Sequence, residues 1–351
     1  MFFKLNDIVI TPDLLNIIAD LDSFNGSWRF LGTLMPEKLN ALRTVATIES
    51  IGSSTRIEGS KLSDKEIEQL LTNIQKHSFS SRDEEEVAGY AYVCDEIYHN
   101  FDAMPFTENT IKQLHQWLLQ FSHKDARHRG HYKKLSNNIE AFDADGKSLG
   151  VMFETSSAFQ TPYHMEELAS WTQEQLERRT LHPLLVIGVF IVTFLAIHPF
   201  QDGNGRLSRL LTTLLLLKSG YSYVPYSSLE SFIERSKKSY YLALQRTQKT
   251  LFQDAVDFHP WLLFFLLCLQ KQKNHLSQKI DLKNLSLEAL SPLAFQILTV
   301  LESNTRLTMG MLENLTHAKR STLKKHVSLL VQQGKLTQHG QGKGTWYTKK
   351  E

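Results

Sequence analysis

Fourteen residues, "HPFQDGNGRLSRLL" at 198–211, bring a histidine, an aspartate, an asparagine and two arginines together around two glycines. Apolar runs flank them on both sides. Gly203, Asn204 and Gly205 imply a sharp turn whose backbone can approach a ligand closely. A helix starting near Gly205 turns its unpaired first N–H groups toward that turn, which makes an anion site of the kind that holds phosphates. Arg206 and Arg209, three apart, share one helix face and can address one anion. Asp202 suits one corner of a Mg²⁺ shell shared with phosphates, and His198 can take a proton from a hydroxyl nucleophile. Singly, a histidine at a helix end, a Gly-x-Gly or a pair of arginines is usually structural. Two apolar helices joined by a turn do not require all of them within a dozen residues.

Helical patterns must position this stretch. Pro36 opens one, "PEKLNALRTVATIESIGSSTRIE". "SDKE" at 63–66 is a capping box that starts "DKEIEQLLTNIQ". "DEEEVAGYAYVCDEIYHN", with acids in its first turn, and "TENTIKQLHQWLLQF" follow. Residues 123–161 break the pattern with a long polar, turn-rich insertion and short β-like pieces around "DADG"; loops of this length are usually functional. Helices resume at "PYHMEELASWTQEQLERR" and at the apolar run Leu184–Ile197. "SKKSYYLALQRTQ" and "HPWLLFFLLCLQKQKNHLSQ" close the body, while residues 1–35 read as a mixed segment.

The chain has 351 residues, a length that points to two or three domains. Its 42% hydrophobic and 22% charged residues are ordinary for a globular protein. Two cysteines, Cys94 and Cys268, fit buried free thiols better than a disulfide framework, and no Cys/His metal cluster stands out. Asp7, Pro12 and Asp13 interrupt any signal-peptide core, and the longest apolar run, 14 residues, is too short to span a bilayer; a cytoplasmic location is expected. From Arg306 onward the net charge is +7, leaving −5 on the rest. That asymmetry points to a nucleic-acid partner for the tail.

"HPFQDGNGRLSR" resembles the signature of the Fic family, His-Pro-Phe-x-Asp/Glu-Gly-Asn-Gly-Arg-x-x-Arg, at every fixed position, and the resemblance spans roughly residues 36–275. It implies a mainly α fold, a Fic helical bundle with a β-hairpin flap. The implied reaction moves AMP from ATP, with Mg²⁺, to a Ser, Thr or Tyr hydroxyl of a target protein, itself included. On this resemblance His198 is the general base, Asp202 the Mg²⁺ ligand and Gly203, Asn204 and Gly205 the hole for the α- and β-phosphates. Arg206 and Arg209 hold the β- and γ-phosphates, and Phe200 is core. Residues 123–161 resemble the flap, with Lys133 where many relatives carry arginine. Tyr240 and Tyr241 resemble the tyrosine pair near the adenine; one core and one surface tyrosine is the alternative. A homodimer is a further implication.

"STRIEG" resembles the family's inhibitory helix, ending Ser/Thr-x-x-x-Glu-Gly/Asn, with Ser54, Glu58 and Gly59. It implies a helix of about 36–59 whose Glu58 pairs with Arg209 and withholds it from the γ-phosphate. The expected organisation is an N-terminal segment 1–35, a Fic domain 36–280 and a winged helix-turn-helix domain 281–351. In the last, "TMGMLENL" and "KRSTLKKHVSLLVQQG" form the helix pair and "KLTQHGQGKGTWY" the wing. Arg320, Lys324, Lys325 and Lys343 could face DNA, or the domain could dock a protein. Three other functions stay open: an ATP-sensing DNA-binding regulator, an enzyme with another nucleotide or phosphoryl donor, and removal of AMP with Glu58 positioning water.

Overall fold

A computed structural model describes residues 8–31, 36–72, 79–142, 148–251, 253, 255–280, 292–302, 306–332, 334–340 and 342–349. The chain divides into two compact units, Met1–Leu276 and Ser277–Glu351. The fold is mainly helical.

The first unit is built around α7, Pro183–Ile197, whose residues from Leu184 onward are all buried. No polar face is available to such a helix, so it must be covered on every side. His182 caps its start through the Leu184 N–H, and Pro183 occupies the first turn, where a missing N–H is harmless. α6 (Thr161–Arg178) and α8 (Asn204–Lys218) pack against it. α2 (Pro36–Ile57) packs on α4 (Arg82–Asn100), α8 and α9 (Leu229–Arg235). α5 (Glu108–Leu118) lies against α4 and α8, and α10 (Lys237–Gln248) against α7. The capping box at Ser63 starts α3, Asp64–Thr72: the Ser63 N–H donates to Glu66 Oε2 at 2.8 Å, and Ser63 Oγ accepts the Glu66 N–H at 3.4 Å. The remainder of "DKEIEQLLTNIQ", from 73 on, lies outside the described residues.

Within 123–161 the chain forms an antiparallel hairpin of β1 (Ile139–Phe142) and β2 (Ser148–Phe153), with Ala141 opposite Gly150. The turn at 143–147 is outside the described residues.

Two features depart from the sequence reading. Residues 12–31 are not a mixed segment but a 20-residue helix, α1 (Pro12–Leu31), joined to the body through Lys273 Nζ to Asp20 at 2.7 Å and Tyr221 Oη to Asp22 at 2.6 Å. The short α9 precedes α10 where the sequence reading has no separate helix. α11, His259–Ile280, completes this part of the chain.

In the second unit, α12 (Pro292–Glu302), α13 (Met309–Thr316) and α14 (Arg320–Gln332) pack around Ile297, Leu312, Leu323, Val327 and Leu330. A three-stranded sheet runs β3 (Leu307–Thr308), β5 (Trp346–Lys349), β4 (Leu336–His339) in spatial order. Residues 281–291, where the sequence suggests a boundary, lie outside the described residues.

Candidate active site

α7 stops at His198 because proline follows, which disfavours the helical conformation at the preceding residue. His198 adopts left-handed backbone angles, φ 52 and ψ 58. That geometry costs a non-glycine residue about 1–2 kcal/mol. Its Nδ1 lies 3.2 Å from the Leu195 carbonyl, which can only accept. Nδ1 therefore carries the proton and Nε2 is left as the acceptor. Burial pulls the His198 pKa down to about 4, so the ring is neutral at physiological pH.

The loop after His198 is held from inside. Asn204 accepts the Phe200 N–H at 2.9 Å and donates to the Phe200 carbonyl at 2.7 Å, so its side chain is used within the turn and its backbone is what a ligand can reach. The Phe200 ring is buried and stacks on His115 at 3.8 Å. His115 in turn meets the Asp202 carbonyl through Nε2 at 3.0 Å and accepts the Gly130 N–H at 2.8 Å. Gly203, with φ 80, caps α8 in a conformation few other residues tolerate.

Around Asp202 the charges close a ring. Asp202 Oδ2 accepts from Arg82 at 2.7 Å, Arg82 pairs with Glu86 at 2.8 Å, Glu86 with Arg206 at 3.1 Å, and Arg206 with Asp202 Oδ1 at 3.4 Å. Burial opposes ionisation of Asp202, but Arg206, the Gly203 N–H and Arg82 together hold its pKa below the usual carboxylate value.

Arg209 faces a different partner. Its Nε donates to Ser54 Oγ at 2.7 Å, and its Nη2 to the Ser54 carbonyl at 2.9 Å and to Glu58 Oε1 at 2.7 Å. The guanidinium is 4% exposed and the carboxylate 32%. Against its desolvation, Arg209 keeps Glu58 ionised, with its pKa lowered. The carboxylate also lies over Gly205, where an added Cβ would collide with Glu58 Oε1. α2 ends at Ile57, and Gly59, at φ 110, turns the chain away just beyond Glu58.

A cavity of about 820 Å³ gathers most of these groups. Glu58, His198, Asp202, Gly203, Asn204, Gly205, Arg206, Tyr240 and Tyr241 line it. Arg209 and Ser54 do not; both are buried beside Glu58, so the two arginines do not face one open anion site in this state. Tyr240 is buried and Tyr241 is 41% exposed, with ring centres 5.1 Å apart. Arg82, Glu86, Asn137, Asn138, Phe153, Lys237 and Gln248 also line the cavity, and nothing in the sequence had singled them out for it. Gln248 is buried with no hydrogen-bond partner for its Nε2.

Among the described residues no group of three or more His, Cys, Asp or Glu could hold a metal ion. Asp202 nevertheless fits Mg²⁺, a hard cation that takes one or two carboxylates and completes its shell with water and phosphates.

The Fic/DOC family model matches residues 105–216. The chain thus carries a Fic/DOC family domain, and the match contains the whole His198–Arg209 stretch. Over 107 residues the chain is 32% identical to the protein adenylyltransferase Fic of Drosophila melanogaster and 31% identical to that of Drosophila virilis. Those alignments take in 30% of this chain and only 19% of each relative. A Fic family protein from Desulfovibrio desulfuricans G20 superposes with a TM-score of 0.60 at 20% identity, covering 98% of this chain and 97% of its own. Fic-1 from C. elegans superposes with a TM-score of 0.54 at 17% identity, covering 78% and 73%. At these identities the superpositions establish the fold.

Proposed function

We propose that this protein is an adenylyltransferase that moves AMP from ATP to a Ser, Thr or Tyr hydroxyl of a protein, itself included, and that Glu58 restrains it. The observation that carries the proposal is the convergence of His198, the N-terminus of α8, Asp202 and Arg206 on one cavity, with Glu58 seated among them against Arg209.

The chemistry follows from the groups present. The triphosphate lies against the first turn of α8, whose N–H groups have no intrahelical partner and favour negative charge. Arg206 adds a fixed positive charge. Asp202 would hold Mg²⁺, which neutralises phosphate charge when bound. The target hydroxyl attacks the α-phosphorus; the new O–P bond forms as the bond to the bridging oxygen breaks, and pyrophosphate leaves. His198 Nε2 takes the hydroxyl proton, as a neutral imidazole can. Phe153, Leu244, Tyr240 and Tyr241 offer apolar and aromatic surface to the adenine. The hairpin is a two-stranded sheet, so each strand has one edge unpaired within it that could take a target segment.

Incubation of the full chain carrying Glu58→Gly with ATP and Mg²⁺, followed by intact-mass spectrometry, is the test. An AMP adduct on the protein itself or on a lysate protein is the expected result; its absence from both refutes the proposal.

The second unit supports a nucleic-acid role as a winged helix. α14 exposes Lys324 and Lys325, together with Ser321, Thr322 and Ser328. Arg320 is paired with Glu313 at 2.6 Å, and the Lys343 side chain lies outside the described residues.

A further inference from the structure

Four consecutive carbonyls around the proposed base are bonded by two residues at the root of the hairpin. Lys133 Nζ donates to the Ile197 carbonyl at 3.0 Å, and the Lys133 N–H to the Pro199 carbonyl at 2.8 Å. Asn137 Nδ2 donates to the carbonyls of His198 at 3.1 Å and Phe200 at 2.6 Å. The two are joined to each other, Lys133 Nζ to Asn137 Oδ1 at 2.7 Å, and both meet Thr155 Oγ1, at 2.8 and 3.0 Å. Asn137 lies two residues before β1 and Thr155 two residues after β2, so both strands of the hairpin start from this network. The Ile197 carbonyl is one of the last in α7, which the helix itself cannot satisfy and where a cation is favoured.

We propose that Lys133 and Asn137 are positioning residues that hold His198 in its left-handed conformation and couple it to the hairpin. The inference rests on the reading of His198 as the base. Its strain needs an external restraint, and Asn204, which accepts the Phe200 N–H and donates to the Phe200 carbonyl, closes the loop from the far side. Lys133 is 3% exposed, and among the described residues it has no carboxylate partner; all its acceptors are neutral oxygens. His164 and His198, the titratable groups that face it, are both held toward the neutral form by burial. Burial alone lowers the Lys133 pKa to about 8. A hairpin occupied by a target strand therefore bears on the backbone of the base through three side chains.

The test compares Lys133→Met, Lys133→Arg and Asn137→Asp in the full chain carrying Glu58→Gly. Lys133→Met should lower kcat roughly 10- to 100-fold, the effect of a sub-ångström to 1 Å misplacement of a catalytic group, with ATP affinity unchanged within about threefold. Lys133→Arg keeps a permanent charge, so it should restore most of kcat and remove the fall in rate expected of the parent above about pH 8. Asn137→Asp keeps an acceptor for Lys133 but loses both donors to the loop, and should behave like Lys133→Met. The His198 imidazole resonances, read by NMR without turnover, should move in Lys133→Met and return in Lys133→Arg. An unchanged kcat in Lys133→Met, a parallel loss of ATP affinity, or unmoved His198 resonances overturns the inference. A parent that forms no adduct, while the resonances behave as stated, refutes the transferase reading alone.

Discussion

Removing the Glu58 carboxylate should raise AMP transfer while lowering stability, and the two effects come from the same contact. In Glu58→Gln the Arg209 guanidinium loses its charged partner at 2.7 Å but keeps both Ser54 acceptors. It is thus freed electrostatically while still aimed, and its Nη1 already lacks a partner. Two unit charges 4 Å apart interact by about 4 kcal/mol at an effective dielectric of 20. Glu58 is 32% exposed, so water screens part of this, and the coupling should fall in the usual allosteric range of about 1–3 kcal/mol, or roughly 5- to 150-fold in activity. Glu58→Gly also uncovers the Gly205 end of α8, so it should activate at least as strongly as Glu58→Gln. Both variants leave a nearly buried arginine without its counter-ion and should unfold at lower denaturant concentration. The assay is the initial rate of adduct formation at saturating ATP and Mg²⁺, alongside urea unfolding at pH 7. Equal rates in the wild-type and both variants would refute the reasoning, as would activation without any loss of stability.

Four further outcomes are expected. His198→Ala should abolish adduct formation in the Glu58→Gly background while leaving nucleotide binding, followed by calorimetry, within about threefold. Gly205→Ala should destabilise the wild-type by about 1–3 kcal/mol because its Cβ meets Glu58, but much less in Glu58→Gly; a double-mutant cycle in urea reads the coupling. Fully buried His115 has its pKa lowered by burial from 6.5 to about 4. Stability from His115 is therefore complete above pH 6.5 and lost as pH falls toward 4, by about 3 kcal/mol, and His115→Gln should flatten that part of the unfolding-versus-pH curve. Gel shifts with duplex DNA at two salt concentrations should show salt-dependent binding, and Lys324→Ala and Lys325→Ala should each reduce the salt slope by about one.

Much of the candidate site was readable because its groups are local. His198 to Arg209 occupy three turns' worth of chain, and their types alone suggest the proposed chemistry. Glu58 was readable from a short motif, although it lies 151 residues from Arg209. The partners that shape the site were not. Arg82 and Glu86 look like any solvated i, i+4 pair, and only the packing of α4 on α8 makes them half of a charge ring. His115, on an ordinary amphipathic helix, gains its role from Phe200, 85 residues on. α1 was obscured by "FNGS", which reads as a turn. Burial of Leu14, Leu21, Phe24 and Trp28 on one side outweighs the roughly 1 kcal/mol that an internal glycine costs a helix.

The two arginines of the motif would make the proposed restraint selective. Arg206 belongs to a ring that closes through Asp202, Arg82 and Glu86; its ion pairs go to Glu86 and Asp202, and Glu58 acts on it only through its charge. Loss of Glu58 should leave those ion pairs in place, so the proposed restraint would bear least on the part of the site beside Asp202. Arg209 leans instead on the last turn of α2 and on Glu58 just beyond it, which take its Nε and Nη2, with the Tyr240 side chain as a further neighbour. The proposed restraint would thus act mainly on the subsite next to Glu58 and Gly205. A ligand needing only the Asp202–Arg206 side should bind the wild-type and Glu58→Gly with similar affinity, whereas one long enough to reach Arg209 should gain affinity on release. Calorimetry with AMP, ADP and ATP on both proteins reads this directly. An equal gain for all three would mean that Glu58 governs the whole cavity, and that the separation of the two arginines has no functional weight.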